Sequence, residues 1–360
     1  MKNNFFYVIL FMLSLSLLTN SCKKKEKEAE ENNSSLLVFD NTKPELLSFI
    51  NENEGWIYTY DYNTNKNNLL HSTDGFSHHT VINADMPDLI KITFINANVG
   101  FGDTYYDNNY FTLDGGVTWT AFQNPPLENY GWMTYNTNYF MTPLFDYNAS
   151  LGHQYVGVCF YNRNDGSYSH TITYTAVAVS TYHGSAGGNI HQSSVHVTDN
   201  GSVAFVGIDY DDANFNNHFY TGFSTNTTDL SITEILGAHS PERLVFPSDN
   251  TGFYTQKDDE KLYKTTNGGQ AWTSAYTFNS TAYKELSFAS NTHGAVLVDD
   301  KVYFTDDSGQ HFSKYQLDTQ NALVSGIVAV AYPTQSTAYA IATYIDNSSI
   351  QTFKLIKITP

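Results

Sequence analysis

The 360-residue chain is short of the residue types on which most stapled folds and catalytic schemes depend. Two cysteines, Cys22 and Cys159, exclude a disulfide-dense scaffold. Eighteen basic residues face 36 acidic ones, for a formal net charge of -18, and only two of the basic residues are arginines, Arg163 and Arg243. A chain this acidic has no broad cationic field with which to neutralise phosphates, so no nucleic-acid partner is expected. No segment sustains a 3.6-residue apolar period, which excludes a helical domain. Gly-x-Ser-x-Gly, His-Glu-x-x-His and Cys-x-x-Cys are missing as well, which removes the hydrolase elbow, the zincin helix and the thiol pair. The glycine-rich segment 184–188 lacks the lysine of a phosphate loop and reads as a linker. No cofactor and no metal site is implied.

At the N-terminus, Lys2 precedes an apolar run from Phe5 to Leu13 and on to Leu17 and Leu18, which ends in Thr19, Asn20, Ser21 and Cys22. The run falls short of the roughly 20 apolar residues of a spanning helix and has the layout of an export signal. Lys23 to Ser35 contains one apolar residue, Ala29, and cannot bury enough surface to offset its ordering entropy, so it reads as a tether. The expected division is a signal over 1–21, a charged tether over 22–35 and one domain over 36–360. Leu18, Ser21 and Cys22 resemble the cleavage box of bacterial lipoproteins, which implies acylation of Cys22 and a lipid bilayer as partner. Glu26, Glu28, Glu30 and Glu31 resemble the acidic surface-export signals of Bacteroidetes lipoproteins. The implied location is the outer membrane, at the cell surface or on the periplasmic face. With Cys22 acylated, Cys159 has no disulfide partner and the fold must be held by packing.

The rest of the chain repeats. Thr112, Asp114, Gly116 and Trp119 fit the pattern Ser/Thr-x-Asp/Asn-x-Gly-x-x-Trp/Phe, and so do Thr265, Asn267, Gly269 and Trp272, and Thr305, Asp307, Gly309 and Phe312. The last two copies begin 40 positions apart, and a degenerate copy from Ser72 through Asp74 and Gly75 begins 40 positions before the first. Each full copy follows an alternating strand and a glycine step: Ile92 to Phe94 with Gly100, Leu244 to Phe246 with Gly252, and Leu286 to Phe288 with Gly294. Four short strands per period is the pattern of a propeller blade. The fold class expected is all-β, a seven-bladed β-propeller of four-stranded antiparallel blades. The blades are placed near 43–84, 88–123, 127–182, 190–236, 238–279, 282–318 and 323–360, with Leu36 to Phe39 closing the ring on the last. Asn164, Asp165 and Gly166 offer a hairpin turn in the enlarged third blade.

In the motif, the Asp or Asn side chain is suited to accept backbone N–H bonds, and the glycine supplies positive φ at little steric cost. The motif resembles the Asp box, or BNR-like repeat, of sialidases, sortilin-type receptors and photosystem-assembly propellers. That resemblance implies a structural role at the blade periphery for Asp114, Asn267 and Asp307. Sialidases hold the substrate carboxylate with three arginines, and two arginines cannot supply that set.

Other carboxylates stay available by composition: Asp209, Asp211 and Asp212; Asp258, Asp259 and Glu260; Asp299 and Asp300. All are expected in loops, solvated. The histidines, among them His78, His79, His183, His191 and His196, read as lone surface residues, and Cys159 as a buried, inert thiol in an apolar strand. Tyr130, Trp132, Tyr135 and Tyr139, with Phe140, form the densest aromatic region and a possible binding surface, against the alternative that most of them pack between blades. The expected function is that of a membrane-anchored, extracytoplasmic, non-catalytic scaffold for an envelope protein or a glycan. The alternative is a glycoside hydrolase or lyase with carboxylates at the central channel. Two carboxylates converging in one pocket with displaced pKa values would favour the enzyme, and a wall of Asn, Thr and Tyr would count against it.

Overall fold

The forty-residue period becomes seven antiparallel sheets arranged as the blades of a β-propeller in the computed structural model, which describes residues 35–104, 109–122, 131–148, 153–175, 193–211, 217–226, 228–234, 241–256, 259–317 and 324–360. The described residues contain strands and turns and no helix. Cys22, the tether glutamates, Tyr130, His183, His191, Asp212, Asp258 and the 184–188 linker lie outside them.

Strand β1 (Ser35–Phe39) is set apart from the first blade. Blade one is β2 (Thr42–Phe49), β3 (Gly55–Asp61), β4 (Lys66–Ser72) and β5 (Thr80–Asn83). Blade two is β6 (Lys91–Phe94), β7 (Gly100–Asp103), β8 (Tyr110–Thr112) and β9 (Thr120–Ala121). The connection to blade three contributes β10 (Gly131–Trp132), and blade three itself is β11 (Thr134–Tyr135), β12 (Tyr139–Asn148), β13 (His153–Asn162) and β14 (Tyr168–Thr175). Blade four is β15 (Ser193–Val197), β16 (Val203–Asp211), β17 (Asn217–Ser224) and β18 (Ser231–Glu234). Blade five is β19 (Pro241–Val245), β20 (Gly252–Gln256), β21 (Lys261–Thr265) and β22 (Thr273–Thr277). Blade six is β23 (Tyr283–Phe288), β24 (Gly294–Val298), β25 (Lys301–Thr305) and β26 (Ser313–Lys314). Blade seven is β27 (Val324–Thr334), β28 (Thr337–Ile345) and β29 (Gln351–Ile358), completed on its outer edge by β1, which pairs antiparallel with β29. The first and last strands thus meet in one sheet, and β1 supplies the fourth strand of blade seven.

One detail departs from the blade limits expected. Gly131 and Trp132, placed in blade three by sequence, pair in parallel with Ser193 and Ser194 and add a fifth strand to the inner edge of blade four. Asp209 and Asp211, expected in a loop, lie in β16.

The apolar core is divided among the blade interfaces. Trp56, Tyr58 and Leu69 of blade one pack with Ile92 and Phe94 of blade two. Phe101 and Phe111 of blade two pack with Phe140, Cys159 and Tyr161 of blade three, and equivalent clusters join blades three to four, five to six, six to seven and seven to one. Burying each such ring contributes about 1.5–3 kcal/mol. The glycine steps have a direct cause here. A Cβ on Gly55, Gly100, Gly252 or Gly294 would lie 2.4, 2.9, 2.6 or 2.3 Å from the ring of Phe49, Phe94, Phe246 or Phe288, six residues earlier. The ring lies on the glycine, and its face stacks on Tyr339, Trp56, His196 or Phe253 of the preceding blade at 4.0, 3.7, 4.0 and 4.0 Å between centroids.

The repeated turns close the third and fourth strands of blades one, two, five and six. Thr112 Oγ1 donates to Asp114 Oδ1 (2.8 Å) and accepts from Gly116 N (2.9 Å), while Asp114 Oδ1 accepts from Thr118 N (2.9 Å). Thr265, Asn267, Gly269 and Ala271 repeat this set, as do Thr305, Asp307, Gly309 and His311. Trp119 Nε1 donates to Gly116 O at 3.0 Å. Gly269 has φ +95°, and its Cβ would meet Ala204 of blade four at 2.4 Å, so glycine answers both the backbone and the neighbouring blade. Blade four carries a similar turn between its first two strands, where Thr198 Oγ1 accepts from Ser202 N at 2.9 Å.

Candidate central-channel site

The inner strands of blades two, five and six bring residues at equivalent positions near one another. Three residues before the stacked phenylalanines stand Lys91 (before Phe94), Arg243 (before Phe246) and Glu285 (before Phe288), so a cation, a cation and a carboxylate arrive from blades two, five and six. β10 adds Trp132, with Lys91 Nζ 5.8 Å and the Arg243 guanidinium 5.3 Å from its ring centroid. Lys91, Trp132 and Glu285 line a cavity of about 630 Å³.

Each group at this level is wired into the wall. Lys91 Nζ donates to Met133 O at 3.1 Å and lies 3.9 Å from Oδ2 of Asp103, its cross-strand neighbour on β7. Asp103 is 2% exposed; its Oδ1 accepts from Met133 N at 3.2 Å, and its Oδ2 has no hydrogen-bond donor among the described residues. Glu285 Oε2 accepts the N–H of Val330 on β27, 3.0 Å away across the blade boundary. Two hydroxyls serve the inner edges in the same manner: Ser48 Oγ accepts from Phe94 N and Ser287 Oγ from Tyr332 N, both at 2.8 Å.

Burial disfavours charge on Glu285, Asp103 and Lys91. It pushes the Glu285 carboxyl up to about 7 against the opposing pull of the Val330 N–H, Arg243 and Lys91. It pushes Asp103 up to about 6, opposed by Lys91 and the Met133 N–H, and it lowers the Lys91 ammonium, opposed by Asp103.

The other end of the cavity lies at the turns that follow the inner strands, and the wall between is mostly neutral: Thr93, Thr134, Asn136, Thr137, Ser194 and Ser248. Arg163 Nη1 donates to Asn136 O (2.6 Å) and Thr137 O (3.0 Å), and its guanidinium sits 5.7 Å from the Tyr135 centroid. Asp199 accepts from Thr137 N (3.0 Å) and Thr137 Oγ1 (2.5 Å). His196, expected at the surface, is buried, because β15 is an inner strand and the imidazole stacks on Phe246. Its Nε2 has no partner among the described residues and lies 4.0 Å from Asp249 Oδ1; burial brings its pKa down to about 4.

The aromatic residues proposed as a surface are therefore divided. Trp132 and Tyr135 line the cavity, Tyr139 packs edge-on against Phe160 and His170 within blade three, and Phe140 is fully buried at the boundary with blade two. Of the acidic clusters, Asp299 and Asp300 form the turn between β24 and β25, and Asp259 accepts from the Tyr263 hydroxyl at 2.7 Å; none of these lines the cavity. Cys159 is buried and free, and burial pushes its thiol up to about 11, the setting of an inert residue. Among the described residues no cluster of three His, Cys, Asp or Glu side chains could hold a metal ion. Lys91, Asp103, Arg243 and Glu285 belong to no motif. The available signal was the position shared by Lys91, Arg243 and Glu285, visible only when the repeats are aligned on their phenylalanines.

No protein-family model matches the chain, and no curated protein matches it. Solved structures do match, in fold. The protein is similar to YCF48 from Cyanidioschyzon merolae, with a TM-score of 0.53, 14% identity, and coverage of 91% of this chain and 99% of that one. It is similar to YCF48 bound to D1 peptide, with a TM-score of 0.54, 10% identity, and coverage of 91% and 98%. It is similar to oligogalacturonate lyase from Vibrio parahaemolyticus, with a TM-score of 0.58, 10% identity, and coverage of 92% and 96%.

Proposed function

We propose that the protein is a non-catalytic binding scaffold, tethered to the outer membrane through acylated Cys22 and presenting its propeller to an envelope protein or glycan. The four related turns, read as Asp boxes, then hold the blade rims and take no part in binding. The observation that carries the reading is the state of the channel carboxylates. Asp103 and Glu285 are each bonded to a backbone N–H of the wall, and Asp103 stands behind Lys91 and does not line the cavity. What the cavity offers is mostly hydroxyl, amide and aromatic surface with a few fixed charges, as binding sites do. A propeller of similar fold has been solved with a peptide bound, which supports a protein partner.

A second reading keeps one specific support. Glu285, with its pKa brought close to 7, is suited to general acid or base work on a glycan, as hydrolase or lyase. Pull-down from intact envelopes with the lipidated protein, beside a glycan array, tests the scaffold: capture of a partner or glycan without its turnover is expected, and binding to neither overturns it. Replacing Cys22 with Ser tests the anchor. Release from membranes is expected, and retention in the detergent-soluble fraction would sink it.

A further inference from the structure

We infer that the turn end of the central cavity takes a basic side chain of a protein partner, its ammonium or guanidinium held by Asp249 and Asp199 and hydrogen-bonded to His196. This inference rests on the scaffold reading and names the chemistry of the partner.

Charge placement is the first support. The lining carries three carboxylates, Asp199, Asp249 and Glu285, against two cations, Lys91 and Arg163. Both cations are already engaged: Lys91 Nζ donates to Met133 O, and Arg163 Nη1 donates to Asn136 O and Thr137 O. Asp199 follows β15 and Asp249 follows β19, so turns of adjacent blades bring the two carboxylates to one imidazole, that of His196. Arg163 offsets part of the Asp199 charge, which leaves Asp249 without a Lys or Arg partner among the described residues. Asp199 is exposed and the Asp249 side chain is 46% exposed, so a ligand reaches both from outside. A net charge of -18 draws cations toward such a mouth.

His196 is the second. The residue is 9% exposed, stacks on Phe246 and lines the cavity, yet its Nε2 has no hydrogen-bond partner among the described residues. Buried polar atoms are otherwise almost always bonded. Asp249 Oδ1 stands 4.0 Å away, too far for a hydrogen bond. A nitrogen carrying two or more N–H groups, set between them with the half-exposed Asp249 side chain turned slightly aside, bonds to both. Burial keeps the imidazole neutral near neutral pH, so with its proton on Nδ1 it offers a lone pair and adds no repelling charge. No three His, Cys, Asp or Glu side chains among the described residues can hold a metal ion, so the cation is one that reaches its acceptors through N–H groups. At the rim, Asn136 Oδ1 is taken by the N–H groups of Asn138 and Tyr139 at 3.0 and 2.9 Å. What that side chain offers a partner is its amide N–H, suited to a backbone carbonyl beside the inserted side chain.

The test is a magnetic-resonance titration of the full lipidated chain in detergent at neutral pH, with isotope-labelled histidine. The probes are capped Gly-Gly-X-Gly-Gly peptides in which X is Arg, Lys, Gln or Glu. His196→Phe identifies the His196 imidazole signals by their loss. The Arg or the Lys peptide is expected to shift them saturably, with roughly millimolar affinity for one isolated side chain, and the Gln and Glu peptides are not. Asp249→Asn should weaken binding about fivefold or more, as a charge-assisted bond is lost. Asp85→Asn, which removes an equal charge at an exposed site outside the cavity, should leave it unchanged. Thermal melting reports whether each variant is folded. Asp199→Asn, which keeps an oxygen for Thr137, serves if the Asp249 variant does not fold, and should weaken binding similarly. No saturable shift from either basic peptide up to about 20 mM, equal shifts from the Gln peptide, equal weakening by Asp85→Asn, or undiminished binding in the folded Asp249 variant overturns the inference. Capture of an envelope partner alongside such a result leaves the scaffold reading standing. Basic-peptide binding with no partner captured keeps the site and overturns the scaffold reading.

Discussion

Glu285 of blade six accepts the backbone N–H of Val330 in blade seven at 3.0 Å, so a channel carboxylate that burial keeps half-protonated near neutrality also joins two blades. Its pKa is raised in the fold from 4.5 to about 7, so between those values the native protein holds a proton that the unfolded chain has released. The stabilising contribution is complete below pH 4.5 and is lost as the pH rises through about 7. Glu285→Gln keeps an oxygen for Val330 and removes the titration. Thermal melts from acid to neutral pH should show the parent losing stability relative to this variant over that window; parallel curves would refute the assignment.

His196 should act in the opposite sense. Burial lowers its pKa from 6.5 to about 4, so the fold favours the neutral ring, and its contribution, present above pH 6.5, is lost as the pH falls through about 4. His196→Phe retains an aromatic face for Phe246 without a proton to bind. The variant should gain on the parent as the pH falls across that range, read by the same melts, and an unchanged difference would count against a buried neutral imidazole.

Gly294 has no room for a methyl group. A Cβ there would come 2.3 Å from the Phe288 ring, which is itself pressed on Phe253. Gly294→Ala is expected to cost about 1–3 kcal/mol by overpacking. Denaturant midpoints check this, and adding Phe288→Leu should recover part of the loss, whereas an unaffected single variant would disprove the contact.

Asp114 should tolerate Asn and not Ala. At the equivalent position Asn267 Oδ1 accepts from Thr265 Oγ1 at 2.8 Å and Ala271 N at 3.0 Å, the same bonds that Asp114 makes. Asp114→Asn should be close to neutral, and Asp114→Ala should lose about 1 kcal/mol as the turn bonds go. Equal midpoints for the two variants would remove the side-chain oxygen from the account of this turn.

The blade repeat was legible because its signals are local. A hydroxyl, a carboxylate or amide two residues on, and a glycine with positive φ close one turn, and all lie within a few residues in sequence. The glycine six residues after each inner-strand phenylalanine was visible too, although its reason, a ring lying on the glycine, needed coordinates. The site was not legible in that way. Trp132 reads as an aromatic of the third blade, and only its pairing with Ser194 carries it to the inner edge of the fourth. His196 reads as an isolated polar residue because the phenylalanine that covers it lies fifty positions ahead.

The sequence by itself determined the all-β class, the seven repeats, the turn chemistry and the closing partner of the last blade, since each follows from alternation and short-range bonding. It also determined that two arginines are all the chain has. Tertiary structure alone decided that Arg163 lines the cavity while Arg243 stands over Trp132, that Asp103 stands behind Lys91, and that Glu285 meets Val330 across a blade boundary. The physical reason is closure of the ring. A level of the channel is assembled from strands far apart in the chain, and the burial that shifts these groups exists only when all seven blades surround them.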